Sequence, residues 1–198
     1  MFAVVESGSI TSMPRGNKGI QIGDIKYSSD IFTVKWTESQ RNAIGVYTIE
    51  VDETNRKDEG YYINTNITYA FGSGKVTGTY GTATARAIAD ANAKDDNGDD
   101  LDPVVVNKGL KTIKKELIDR QCAEILAPSD WMYIKAGEEG VSMDSGWKTW
   151  RASVRTKCNS MQTQIDNAAN VDALAALFTY TTTDGVTSRP LGEFPIKE

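Results

Sequence analysis

Histidine does not occur anywhere in the 198 residues of this chain. Ser-His-Asp and Cys-His catalysis need an imidazole as the base, and most catalytic zinc sites need one as a ligand. These classes of enzyme are therefore excluded, which leaves only chemistry by carboxylates, lysine or tyrosine. The sequence contains no catalytic constellation of such groups. We therefore predict a protein that is not an enzyme and has no catalytic residues, cofactor or metal.

Cysteines, an excess of basic residues and long apolar runs are missing too. The only two cysteines, Cys122 and Cys158, lack the spacing of a disulfide framework or a metal site, and their apolar helical positions indicate buried thiols. A net charge of −5 and a pI near 4.9 argue against nucleic acid as a partner. No run approaches the ~20 apolar residues of a membrane span. The opening "MFAVVESGSI" lacks the basic region of a signal peptide.

The acidic segment "KDDNGDDLDP", residues 94–103, divides the chain. Its repelling charges, its glycine and its terminal proline favour a solvated linker. The alternating oxygen-bearing side chains also suggest a calcium loop. That pattern needs glycine at its sixth position and glutamate at its twelfth, where this sequence has Asp100 and Val106. We therefore prefer the linker to the ion site.

Before this segment, the pattern is typical of β-structure. The signals are hairpin turns at residues 7–9 and 72–74, and alternating strands at residues 31–36 and 46–51. Between those two strands, Thr37 is expected to cap a turn of helix. The alanine-rich stretch of residues 82–93 predicts another helix.

After the acidic segment, the apolar period changes to that of helices. The predicted elements are a long helix within residues 107–126, a short one capped by Ser129 or Asp130, a long one capped by Asp144 or Ser145, a last one at residues 170–178, and a hairpin around Asp184-Gly185. The predicted fold class is α+β. We expect a small antiparallel β-domain at residues 1–81, a helix and acidic linker at 82–103, and a helical domain with a C-terminal hairpin at 104–198.

Three of the four tryptophans lie between residues 129 and 155. Trp147 and Trp150 belong to the apolar face of the long helix, whose residues all fall within about 80° of one another at 100° per residue. One interpretation is a helical core with Trp131 covering its open end. The other is that one or two indoles are exposed for a partner. Beside this face, a basic strip is expected to meet an acidic partner. The candidate partner-binding residues are Trp131, Trp147, Trp150, Lys148, Arg151 and Arg155.

Glu138, Glu139 and Asp144 suggest a remote alternative, a glycan-acting enzyme that uses a carboxylate pair. Carboxylates in a glycine-rich loop are more often simply solvated, and nothing in the sequence orients these.

The segment "PSDWMYIKAGEEGVSMDSGWKTWRASVR" resembles the C-terminal motif of bacteriophage tail assembly and tail-fibre assembly chaperones. Residues 128–132 and 150–155 carry the match. "WTESQRNAIGVYTIEVDETN" and "TYAFGSGKVTGTYGTATAR" are similar to the β-rich leading region of tail-fibre-associated proteins. Together these stretches cover about half of the chain.

The resemblance implies a protein that binds a phage tail fibre or another tail protein and shields its exposed surface during assembly. It would work in the host cytoplasm. A permanent virion adaptor or structural protein of the tail is the alternative, and either could form an oligomer. The family provides no catalytic residues.

Overall fold

The computed structural model describes residues 1–197, and its contacts divide the chain into two compact units, Met1–Thr84 and Ala85–Glu198. The first unit is built mainly from strands and the second mainly from helices. The predicted α+β fold class is therefore confirmed.

The first unit is organised around a five-stranded sheet with strand order β2-β1-β5-β8-β7. Its strands are β1 (Phe2–Glu6), β2 (Ser9–Ser12), β5 (Val46–Asp52), β7 (Ile67–Gly72) and β8 (Lys75–Tyr80). Both predicted hairpins are confirmed. The sheet is mostly antiparallel, but β5 and β8 pair in parallel, with Ile49 opposite Val76. The edge strands β2 and β7 approach each other, so the sheet curls.

Shorter elements complete this unit. They are the hairpin of β3 (Ile20–Ile22) and β4 (Ile25–Tyr27), α1 (Glu38–Ala43), β6 (Tyr62–Ile63) and, at the unit boundary, β9 (Thr84–Ala85). As predicted, Thr37 caps α1: its hydroxyl accepts from the Gln40 amide at 3.2 Å, and the Gln40 side chain accepts from the Thr37 amide at 2.8 Å.

Strand β1 has core on both of its faces. Ala3 and Val5 pack with Ile49 and Val76 on one side. Val4 packs in a separate cluster on the other side, with Ile31 and Val46. This two-sided burial explains the unbroken apolar run at the start of the chain, because a half-buried strand would alternate.

The predicted strand at residues 31–36 is wrong. Residues Ser29–Phe32 form a 3₁₀ turn, and Val34 is fully exposed. The Asp30 carbonyl accepts from the Thr33 hydroxyl at 2.7 Å, and the Asp30 carboxylate pairs with Lys35 at 2.8 Å. Such local side-chain bonds offer the backbone an alternative to a sheet ladder, so a period of two did not produce a strand here.

The described residues of the second unit form four α-helices, a short 3₁₀ turn (Ala127–Ser129) and two small hairpins. The helices are α2 (Leu110–Leu126), α3 (Asp130–Glu138), α4 (Ser145–Asn167) and α5 (Val171–Phe178), and the hairpin strands are β10 (Ala91–Asn92) with β11 (Val106–Asn107) and β12 (Thr181–Thr183) with β13 (Val186–Ser188). The main core lies between α2 and α4. Ile118, Val154, Met161 and Ile165 have no exposed surface there.

The predicted helix at residues 82–93 is also wrong. This segment is extended or irregular, and it accepts hydrogen bonds from the first amides of α2. The Leu110 amide donates to the Ala87 carbonyl at 2.9 Å, and the Gly109 amide donates to the Asp90 carboxylate at 2.7 Å. Helix α2 has no side-chain cap from Gly109 itself. A Cβ on Gly109 would lie 2.3 Å from the Ala89 carbonyl carbon, so this approach requires glycine. Tertiary contacts thus override alanine's helix propensity.

The acidic segment lies in the second unit and folds into a loop between β10 and β11. The Asp95 carboxylate accepts from the Asn97 and Asp99 amides, each at 2.9 Å, and Asp100 pairs with Lys94. These bonds lower the pKa of Asp95, mainly through the Asp99 amide, and that of Asp100, mainly through Lys94. No group of three or more potential metal ligands occurs within residues 1–197.

None of the helices described is both long and apolar enough to cross a membrane.

Candidate protein-binding surface

Helix α3 exposes apolar side chains on its outward face. Only Ala136 and the half-buried Met132 turn towards the rest of the unit. Trp131, Tyr133 and Ile134 are 56%, 65% and 61% exposed. An amphipathic surface helix normally has its polar side outward. We call the exposed group of Trp131, Tyr133, Ile134 and, from the following loop, Val141 the α3 patch.

Trp131 also forms one wall of an open hollow of about 310 Å³, here called the Trp131 hollow. Trp147 lies on the same hollow, and Met132 and Met143 contribute to its lining. Trp131 therefore does not cover the end of the helical core but lies at the surface.

The other two tryptophans are half-buried and engaged within the unit. Their rings meet edge to face, with centroids 5.5 Å apart. The Trp150 indole N–H donates to the Pro195 carbonyl at 3.0 Å, and the Lys197 ammonium lies 5.4 Å from the centre of the Trp147 ring. The C-terminal segment thus packs against the start of α4 through Pro195 and Lys197, and its Leu191 is fully buried. Trp147 and Trp150 belong mainly to the packing of the unit.

Arg151 is not part of an exposed basic strip, which corrects our prediction. It is only 6% exposed. Its guanidinium donates to the Leu126 carbonyl at 2.8 Å, to the Ser129 hydroxyl, and to the Asp130 carboxylate at 2.5 Å. These acceptors lie at the junction of α2 and α3. Arg151 therefore fixes the direction in which α3 leaves α2.

The same junction explains why α3 lacks the predicted cap. The Ser129 hydroxyl donates to the Leu126 carbonyl at 2.8 Å, and Asp130 is held by Arg151, so neither side chain caps the helix. Asp144 does cap α4 as predicted. Its carboxylate accepts from the Gly146 and Trp147 amides at 3.0 and 3.1 Å.

Lys148 and Arg155 are the exposed members of the predicted strip. They are seven positions apart on α4, close to two helical turns, so they project from nearly the same side of the helix. Neither forms a salt bridge with any residue from 1 to 197. They remain available to an acidic partner.

The carboxylates of the enzyme alternative are all exposed. Glu139 lies 3.6 Å from Lys135 in an ion pair of one helical turn. Asp144 is the α4 cap. Both Glu139 and Asp144 line the Trp131 hollow, but each is exposed and engaged locally, Glu139 by Lys135 and Asp144 by the first amides of α4.

The buried cysteines lie between α2 and α4. Cys122 is 8% exposed and Cys158 5% exposed, and both are free thiols. The Cys158 sulfur is 3.7 Å from an Asp119 carboxylate oxygen. Burial, together with Cys122 and Asp119 beside it, raises the pKa of Cys158 to about 12. The predicted burial of both thiols is confirmed, and Cys158 is protonated at neutral pH.

Our sequence-based candidates missed Tyr133, Ile134 and Val141. The signal was present in "DWMYIKAG", because a helix that needs only Met132 and Ala136 inside leaves its remaining apolar residues for solvent or a partner. No pattern in the sequence predicted the contacts of Pro195 and Lys197 with the tryptophans, since the proline-containing C-terminal segment has no periodicity.

No family model, curated protein or solved structure matches this chain.

Proposed function

We propose that this chain is a phage tail-associated protein that binds a tail fibre or another tail component and acts as an assembly chaperone for it. The proposal rests on the resemblance of residues 128–155 to the C-terminal motif of such chaperones. It rests also on the α3 patch, which lies within that same motif.

The α3 patch is the single observation that supports the proposal most. Trp131, Tyr133, Ile134 and Val141 lie within eleven consecutive residues, and each is more than half exposed. Large apolar residues that are exposed together in one short segment favour an interaction site, whereas single exposed apolar residues are normal. A chaperone needs such a surface in order to cover apolar or edge-strand surface of its client until assembly is complete.

Co-expression with the neighbouring fibre gene tests the chaperone function. We expect more soluble, trimeric fibre with this chain than without it, measured by size-exclusion chromatography with light scattering. An unrelated acidic protein of similar size serves as the control. An unchanged fibre yield would contradict the proposal.

The division into two compact units favours a second candidate, a permanent adaptor in the tail. Two units can hold two different components, which a transient chaperone does not need. Mass spectrometry of purified particles separates the two functions, because an adaptor stays in the particle at fixed stoichiometry and a chaperone leaves. Absence of this chain from particles would eliminate the adaptor.

A further inference from the structure

A second hollow lies on the opposite side of α3 from Trp131, and it is the more enclosed of the two. We call it the Tyr133 hollow. Its volume is about 200 Å³, and it is lined by Tyr133, Ala136, Gly137, Val141, Met143 and Lys148, together with Ser142. Pockets for whole drug-sized ligands measure about 300–1,000 Å³. The Tyr133 hollow therefore has room for one side chain rather than for a small-molecule ligand.

The lining of this hollow combines apolar and polar surface, and its apolar part comes from both buried and exposed side chains. Met143 and Ala136 are each 8% exposed, while Tyr133 and Val141 stand at the rim, more than half exposed. Gly137 keeps the space open, because a Cβ built on it meets no atom within 4 Å. An aromatic side chain would bury the exposed rim together with its own surface, which is a favourable exchange.

The charged residues around the hollow indicate which group of a partner would lie beside that aromatic side chain. Lys148 is the one charged residue that lines the hollow, it is exposed, and it makes no salt bridge with any residue described. Arg155 adds a second exposed positive charge on the same side of α4. The carboxylates Glu138 and Glu139 do not line this hollow. An anionic neighbour is therefore the complement that the hollow lacks.

We propose that the Tyr133 hollow is a docking site for a segment of a protein partner that presents an aromatic side chain next to a carboxylate. The aromatic ring fills the hollow, and Lys148 pairs with the carboxylate. This inference rests on the proposed function, because it identifies the chemistry by which the tail component is recognised.

The test uses the full chain and the smallest molecule that carries both features, N-acetyl-L-phenylalanine, followed by two-dimensional NMR. We expect shifts confined to the amides of Gly137, Ser142 and Met143, with a dissociation constant on the order of 1–10 mM, as suits so small a ligand. The uncharged N-acetyl-L-phenylalaninamide should bind about fivefold more weakly, since an exposed ion pair contributes up to about 1 kcal/mol.

Three variants locate the site. Gly137→Leu places a side chain where a Cβ meets no atom within 4 Å. It should occupy the hollow and abolish the shifts, while the melting temperature stays equal or rises because glycine disfavours helices. Lys148→Gln should reproduce the roughly fivefold loss and should bind acid and amide alike. Arg120→Gln, an exposed residue of α2 that does not line the hollow, removes one positive charge as well; it is the matched control and should bind as the parent does.

Shifts spread over the surface, or equal binding of acid and amide by the parent chain, would overturn the proposal. The probe experiment contains no fibre, so its failure is distinct from failure of the chaperone function. If Gly137→Leu loses the probe but still raises the fibre yield fully, the hollow is not the contact with the fibre, and the chaperone function stands without it.

Discussion

The two units differ in how they expose apolar side chains. In the first unit, the exposed large apolar residues are scattered over separate strands and loops: Met1, Met13, Ile25, Val34, Val51 and Ile63. In the described residues of the second unit, seven of eleven concentrate in two runs, at residues 104–106 and 131–141, and the other four are isolated: Ile113, Tyr180, Val186 and Ile196. Of the two runs, only the second includes aromatic residues. Scattered exposure requires no partner, whereas a cluster with aromatic anchors is typical of a binding surface.

The units also differ in what fixes their critical elements. The first unit relies on strand pairing and close packing, as at Gly78, where a Cβ would meet the Tyr69 ring at 2.8 Å. The second relies on one buried charged side chain, Arg151, to set the position of α3. Substitutions at these two positions should therefore affect different units.

The largest effect is expected for Arg151→Ala. Loss of the guanidinium leaves the Leu126 carbonyl with only the Ser129 hydroxyl as a side-chain donor, empties the buried space of the guanidinium and releases Asp130, and we expect about 2–3 kcal/mol of lost stability. Urea unfolding monitored by fluorescence in a Trp36→Phe background measures it, because the remaining tryptophans lie in the second unit. Arg155→Ala, on the same helix but exposed, is the matched control and should stay within about 0.5 kcal/mol. Equal effects of the two would refute the structural role of Arg151.

The next effect is expected for Gly78→Ala, which should destabilise the first unit alone by about 1–2 kcal/mol through overpacking against Tyr69. Native-state hydrogen exchange should show faster exchange in β5, β7 and β8 and unchanged exchange in α2 and α4. Gly74→Ala at the hairpin turn is not a suitable control, because its φ of +75° adds backbone strain. Gly72→Ala is the better one, since a Cβ there meets nothing within 4 Å. Faster exchange in α4 with Gly78→Ala would contradict the separation of the units.

A smaller, pH-dependent effect is expected at Cys158. Its folded pKa of about 12 lies above the pKa of an unfolded thiol, ~8.5. The folded state therefore holds the proton more tightly, and stability should be constant below about pH 8.5 and decline as the pH rises towards 12. Unfolding free energies of the parent chain and of Cys158→Ala between pH 7 and 10.5 measure this slope. A parent slope no steeper than that of the variant would count against it.

The smallest effect on stability is expected for the α3 patch itself. Ile134→Lys removes exposed surface only, so the free energy of unfolding should change by less than about 0.5 kcal/mol. A loss above 1 kcal/mol in the same urea experiment would mean that the patch belongs to the core of the unit.

Local signals in the sequence predicted most of the second unit and the hairpins of the first. The Asp144 cap, the apolar face of α4 and the hairpin turns at Gly8 and Gly74 depend only on neighbouring residues, and the structure has all of them. The parallel pairing of β5 with β8 could not be predicted, because it joins segments separated by a whole crossover. The segment at residues 82–93 was mispredicted for a related reason, because its backbone carbonyls accept hydrogen bonds from the first amides of α2, which are distant in sequence.

The candidate site was predicted in part. Trp131 and the exposed basic residues Lys148 and Arg155 lie at the surface, but helical period alone placed Arg151 beside them. The helical period predicts on which side of α4 a residue lies, but not which residues pack against that side. The acceptors of Arg151 lie at the end of α2 and in the turn that follows it. Whether these residues bind a tail protein stays a prediction.

The central claim is that the α3 patch is the surface through which this chain binds its tail component. The most direct test compares Ile134→Lys with Val51→Lys, which places the same charge at an isolated exposed apolar residue of the first unit, in co-expression with the neighbouring fibre gene. We expect Ile134→Lys to lower the yield of soluble trimeric fibre at least about tenfold, as loss of a central contact does, and Val51→Lys to leave it unchanged. Equal yields from the two variants would contradict the claim.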